Sequence, residues 1–155
     1  LRSRAGSRRG RRRSAIAAMR RAVGAVLYST ERHVGPRGID ELKASAGHMA
    51  TANAIIRGKV DYQNHLADHA RALQALNRDV AALFPKDSDF GDTRALDAVW
   101  SRNAEFRERA QDARARADAF AKAVTAGDSK NYAARFGELN DACKACHKDF
   151  RKEEK

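Results

Sequence analysis

From residue 39 onward, apolar residues recur in steps of three and four. Ile39, Leu42, Ala46, Met49, Asn53 and Ile56 form a first stripe that ends before Gly58. Leu66, His69, Ala70, Leu73, Leu76, Val80 and Leu83 form a second, stopped by Pro85. Phe106, Ala110, Ala113, Ala117, Phe120 and Val124 make a third, with Gly127 at its predicted C-cap. A fourth runs through Tyr132, Phe136, Leu139, Cys143, Cys146/His147 and Phe150, with Asp128 as its predicted N-cap. Each stripe occupies one face of a 3.6-residue helix. The segment 86–98, rich in aspartate and holding Gly91, reads as a loop with room for a short turn. Four amphipathic helices with short first and third links predict an all-α fold, an antiparallel up-down-up-down four-helix bundle packed with a left-handed twist.

Composition changes the picture mainly at the N-terminus. The net charge of +11 over 155 residues suggests a nucleic-acid binder until it is divided along the chain. Residues 1–37 carry eleven arginines, no lysine and one acid, Glu31; the rest is nearly neutral. The basic character belongs to a tail. The opening LRSRAGSRRGRRRS has no apolar periodicity and reads as disordered. Two short apolar runs around Arg20 and Arg21 have the order of an export signal at its lower length limit. Residues 1–37 are therefore either an Arg-rich extension or a degraded export signal, and the breaker cluster Gly35-Pro36-Arg37-Gly38 sets the boundary with a domain over 38–155. No aromatic interleaving accompanies the arginines, so a nucleic-acid partner is not expected. No run approaches the roughly 20 apolar residues of a membrane span.

The informative pentapeptide is Cys143-Lys144-Ala145-Cys146-His147. CxxCH is the attachment string for c-type haem. Two thiols three positions apart share a helical face and can add to the two vinyl groups of one haem, while the adjacent imidazole reaches the iron as axial ligand. Both cysteines and His147 lie on the stripe of Phe136, Leu139 and Phe150, so the handle faces the bundle interior. Three other readings stand beside it. A thioredoxin-like CxxC needs a βαβ context that the chain lacks. Cys143 and Cys146 with His65 and His69, one helical turn apart, would complete a Cys₂His₂ zinc site. The two cysteines could also be small packed residues with no cofactor. At the level of function, these leave a non-haem metal- or nucleic-acid-binding helical module as the rival class.

Val99-Trp100-Ser101, Gly127-Asp128, Phe136-Gly137 and Ala142 through Arg151 resemble the C-terminal half of the cytochrome c′ family, including its Met-ligated relatives. Gly47-His48-Met49, Arg57 through Tyr62 and Leu66 through Ala70 are similar to its first hairpin. The resemblance implies one covalent haem c in the core of a periplasmic bacterial four-helix bundle. It implies electron transfer with a redox partner protein or binding of nitric oxide and carbon monoxide, not enzymatic turnover, and often a homodimer. It also implies that Leu42 stands where the Met-ligated branch places its ligand, leaving five-coordinate iron with an apolar distal side. Met49, two turns along the same face, is the alternative sixth ligand and would make a six-coordinate electron carrier. Trp100 and Phe136 are expected in the haem pocket, with Arg151 beside the proximal face and Arg37 as a candidate propionate partner. His48, one residue off the stripe, is expected to be solvent-facing or hydrogen-bonded.

Overall fold

The computed structural model describes residues 36–89 and 93–153, with side chains from residue 41 onward. Four long helices carry the fold: α1 (Pro36–Ile56), α2 (Leu66–Leu76), α3 (Asn103–Thr125) and α4 (Tyr132–Phe150). They form an antiparallel four-helix bundle in which α1 packs on α2, α2 on α3 and α3 on α4, while α1 meets α4 only narrowly. Among the described residues, no helix is long and apolar enough to cross a membrane. The arginine tail and the export-signal runs, up to residue 35, lie outside the described residues.

Helix ends obey local chemistry. Gly58 and Gly127 take left-handed φ values of 63° and 69°. Each closes a double-bonded C-terminal turn, with Gly58 N–H on Ile55 O and Lys59 N–H on Ala54 O, and Gly127 N–H on Val124 O and Asp128 N–H on Ala123 O. Three boundaries differ from expectation. α1 begins at Pro36, so Pro36–Gly38 of the predicted break belong to the helix. Proline is accommodated there because a first-turn N–H has no helical partner to lose. The second stripe is not one helix: α2 ends at Leu76, and Val80–Leu83 form a separate 3₁₀ turn. Asn77 favours the stop through its side chain, whose Nδ2 donates to Leu73 O at 2.8 Å beside the ordinary helical bond from its backbone N–H at 3.1 Å. Asp128 is not the N-cap of α4. Its carboxylate accepts from Asn131 Nδ2 at 2.9 Å and organises the turn before the helix. Within the predicted loop 86–98, Ala98 opens one further helical turn, Ala98–Ser101.

Two apolar clusters fill the interior. The first gathers Ile55, Leu73, Phe120 and Leu139, all fully buried, around Ala52, Ala70 and Ala117, whose small side chains let the helices approach closely. The second joins Val99, Phe106 and Phe150, with Phe84 and Trp100 packed against them. Phe106 meets Phe84 and Phe150 edge to face, with ring centroids 5.2 and 5.3 Å apart. The two clusters meet α4 at different heights, and that placement governs the site.

Candidate haem site

Helix α4 places Cys143 and Cys146 on one face, three residues apart. Both are free thiols and half-buried. Cys143 packs against the first cluster, Cys146 against the second, so the pair spans the seam between the two apolar centres. Burial pushes both thiols up. For Cys146 the neighbouring Cys143 adds to this, Arg109 opposes it, and the value reaches about 11. Protonated thiols in apolar surroundings make poor nucleophilic or redox centres. Their placement against two apolar clusters, not their acidity, suits them to anchor an apolar group.

His147 follows directly. The residue is exposed, yet its ring loses enough water that desolvation leads in lowering its pKa, followed by Arg151 and Arg94. A neutral imidazole is the form that ligates a metal ion. Several contacts fix this end of α4. Arg151 N–H donates to His147 O at 3.0 Å, Leu96 N–H to Phe150 O at 3.0 Å, and Lys152 N–H to Arg94 O at 2.8 Å. Ala95 and Arg151 form an antiparallel bridge. Arg102 donates to Asp149 O at 3.3 Å and lies over the Phe150 ring, and Arg109 pairs with Asp149 at 3.5 Å. None of these ties was foreseen, although Phe84 before Pro85 was the visible hint of an aromatic set under the loop.

The remaining predicted residues divide. Trp100 packs on the second cluster with Cys146, and its Nε1 donates to Pro85 O at 2.9 Å. Phe136 is buried beneath Cys143 in the first cluster, edge to face with Phe120. Met49 is half-buried against that same cluster, as a core methionine would be. Leu42 is 37% exposed on α1, at the opposite end of its helix from the Gly58 turn. Arg151 lies at the end of α4, exposed but felt by the His147 ring. Arg37 lies in α1 with no described side chain. The Cys₂His₂ zinc reading does not assemble: among the described residues no group of three or more histidine, cysteine or acidic side chains is placed to hold a metal. His69 turns instead to His48 on α1, their Nδ1 atoms 2.8 Å apart.

The cytochrome c′ family model matches residues 39–151, nearly all of the described body. The chain belongs to the cytochrome c′ family. A cytochrome c′ from Pararhodospirillum photometricum is 36% identical over 111 residues, covering 71% of this chain and 89% of the relative. Among solved structures, cytochrome c′ from Rubrivivax gelatinosus superposes with a TM-score of 0.70 at 28% identity, covering 74% of this chain and 91% of that one. A nitric oxide complex of a leucine-to-valine variant of cytochrome c′ from Alcaligenes xylosoxidans superposes with a TM-score of 0.70 at 25% identity, covering 77% and 94%. The family carries a single covalently attached haem c, serving electron transfer or gas binding. The residues present fit that group: two free thiols on one helical face between apolar clusters, followed by a neutral imidazole.

Proposed function

We propose that the chain is a periplasmic haem c protein that binds nitric oxide and carbon monoxide, or passes single electrons, without turning over a substrate. In this reading Cys143 and Cys146 would hold the haem through thioethers, and His147 would ligate its iron. Bound there, the group would supply a redox-active iron able to take a diatomic ligand. The observation that carries the reading is the thiol pair spanning two apolar clusters, with the imidazole next in sequence. Trp100, Phe106 and Phe150 line the Cys146 side and exclude water, while Phe136 and Leu139 do so beneath Cys143. Desolvation, and after it Arg151 and Arg94, lower the pKa of His147 and favour its neutral form.

The distal side belongs to Leu42. An apolar side chain offers water no hydrogen-bond partner, so water binds weakly there, whereas uncharged diatomics need none. Five-coordinate iron rests in this reading on Leu42, which cannot ligate; Met49 packs against the first cluster, as Cys143 does. The Arg-rich segment 1–37 is read as separate from this haem-binding body. Attachment of haem c to reduced thiols takes place outside the bacterial cytoplasm, which supports the periplasmic assignment. The partner in electron transfer is another redox protein, and a homodimer is the proposed assembly.

The test is a spectrum. Protein expressed with the haem-attachment machinery is expected to retain its haem through acid–organic extraction and to give a pyridine haemochrome. Cys143→Ala/Cys146→Ala is expected to retain none. Wild-type protein that loses its haem on extraction would refute the attachment. Low-spin bands in both oxidation states that disappear in Met49→Ala would refute five-coordinate iron and leave a six-coordinate electron carrier.

A further inference from the structure

Away from the cysteine helix, two histidines from different helices meet. His48 on α1 and His69 on α2 are 21 positions apart in sequence, both half-buried, with Nδ1 atoms at 2.8 Å and ring centroids at 5.1 Å. A contact between two ring nitrogens holds only when one donates and the other accepts, so the pair keeps a single proton between two nitrogens. That is an unusual use of two adjacent imidazoles. Their proton sits where a metal ion that favours nitrogen ligands would compete for it.

We propose that His48 and His69 form a two-histidine site for a divalent transition ion of the Ni²⁺, Cu²⁺ or Zn²⁺ class, stapling α1 to α2. With metal–nitrogen bonds of about 2.0–2.1 Å, two imidazoles bound at neighbouring positions place their nitrogens about 2.9–3.4 Å apart. The observed 2.8 Å lies about a tenth of an ångström below the lower end of that range, a gap that small side-chain rotations close. The rings are tilted by 57°, not stacked, which leaves each nitrogen free to turn toward a shared ion. Borderline metals of this class accept imidazole readily, whereas calcium and magnesium prefer oxygen.

The surroundings decide how strong the site is. His65, one turn before His69, is exposed and stacks on Tyr62, with ring centroids 5.4 Å apart. Asp68 is paired with Arg71. Because no third ligating side chain among the described residues is placed with the pair, solvent would complete the coordination. The site is therefore an exchangeable surface clamp, unlike a closed structural centre, where four protein ligands surround the ion. It depends on neither cysteine and stands apart from the haem assignment.

The test uses holoprotein stripped with a chelator and titrated calorimetrically with NiCl₂. One Ni²⁺ per chain is expected, together with a rise in unfolding temperature, since an ion bound only by the folded state stabilises it. His48→Gln and His69→Gln are each expected to weaken binding by about tenfold or more, the scale at which altering a metal site's ligand environment acts. His65→Gln is expected to bind as wild type. A haem spectrum and circular dichroism identical to wild type establish that each variant is folded; His69→Asn serves where His69→Gln is not. No saturable binding by wild type, equal binding by wild type and the His48 and His69 variants, or loss in His65→Gln alone would each overturn the proposal.

Discussion

Phe106 is the side chain through which the end of the cysteine helix should be most open to perturbation. It is 3% exposed on α3 and packs edge to face on both Phe84 and Phe150. Phe150 ends α4 three residues after His147, so this aromatic set seats the site as well as part of the core. Phe106→Ala removes a buried ring and both edge contacts, an expected loss of about 3–5 kcal/mol. Phe106→Leu keeps most of the volume and removes only the ring geometry, about 0.5–1.5 kcal/mol for each pair. For a body of this size the alanine variant should unfold roughly 9–30 °C lower, at about 3–6 °C per kcal/mol. Guanidinium titration of the holoprotein, followed by far-UV circular dichroism, gives the first number. The haem absorption spectrum gives the second readout, because loosening Phe150 should disturb the His147 end of α4. Phe120→Ala, in the first cluster, is the control: a comparable loss of stability with a smaller spectral change. A loss below about 1 kcal/mol in Phe106→Ala, on a core scale of several, would refute the view that this set clamps the helix.

Three further outcomes follow from other parts of the molecule. Gly127→Ala should cost about 1 kcal/mol by chemical denaturation, because a Cβ is strained at φ 69° even though the space around it is open. His69 sits below its ordinary value of 6.5, through desolvation first, then His48 and His65, with Asp68 opposing. The unfolded chain therefore takes up this proton at higher pH than the native one. In the presence of a chelator, stability should be full above pH 6.5 and fall as pH drops below it, and the slope should flatten in His69→Gln; an unchanged slope would contradict the assignment. Leu42→Ala should speed carbon monoxide association with ferrous protein in stopped-flow mixing, and an unchanged rate would remove Leu42 from the distal side.

The site was more legible than the fold around it. Cys143, Cys146 and His147 are adjacent in sequence, and their spacing on a helix follows from helical geometry alone. The stripes likewise located α3 and α4, since an amphipathic period survives any arrangement of neighbours. Periodicity misjudged the second helix, because Leu76, Val80 and Leu83 keep the step while the Asn77 side chain bonds back to Leu73 and favours a stop. It also read the Pro36 cluster as a stop, although a first-turn proline breaks no bond.

By itself the sequence determined four apolar helical faces, a nearly neutral body behind an arginine tail, and a CxxCH string on the fourth of those faces. These are local properties, set by residues within one or two turns of one another. Only the tertiary structure decided that Cys143 and Cys146 would meet two different apolar clusters, that Ala95 would bridge to Arg151, and that His69 would find His48 and not the cysteines. Each depends on how separate faces pack and on which long side chains then fall within reach. That choice is made by burial summed over the whole bundle, and no short-range pattern along the chain contains it.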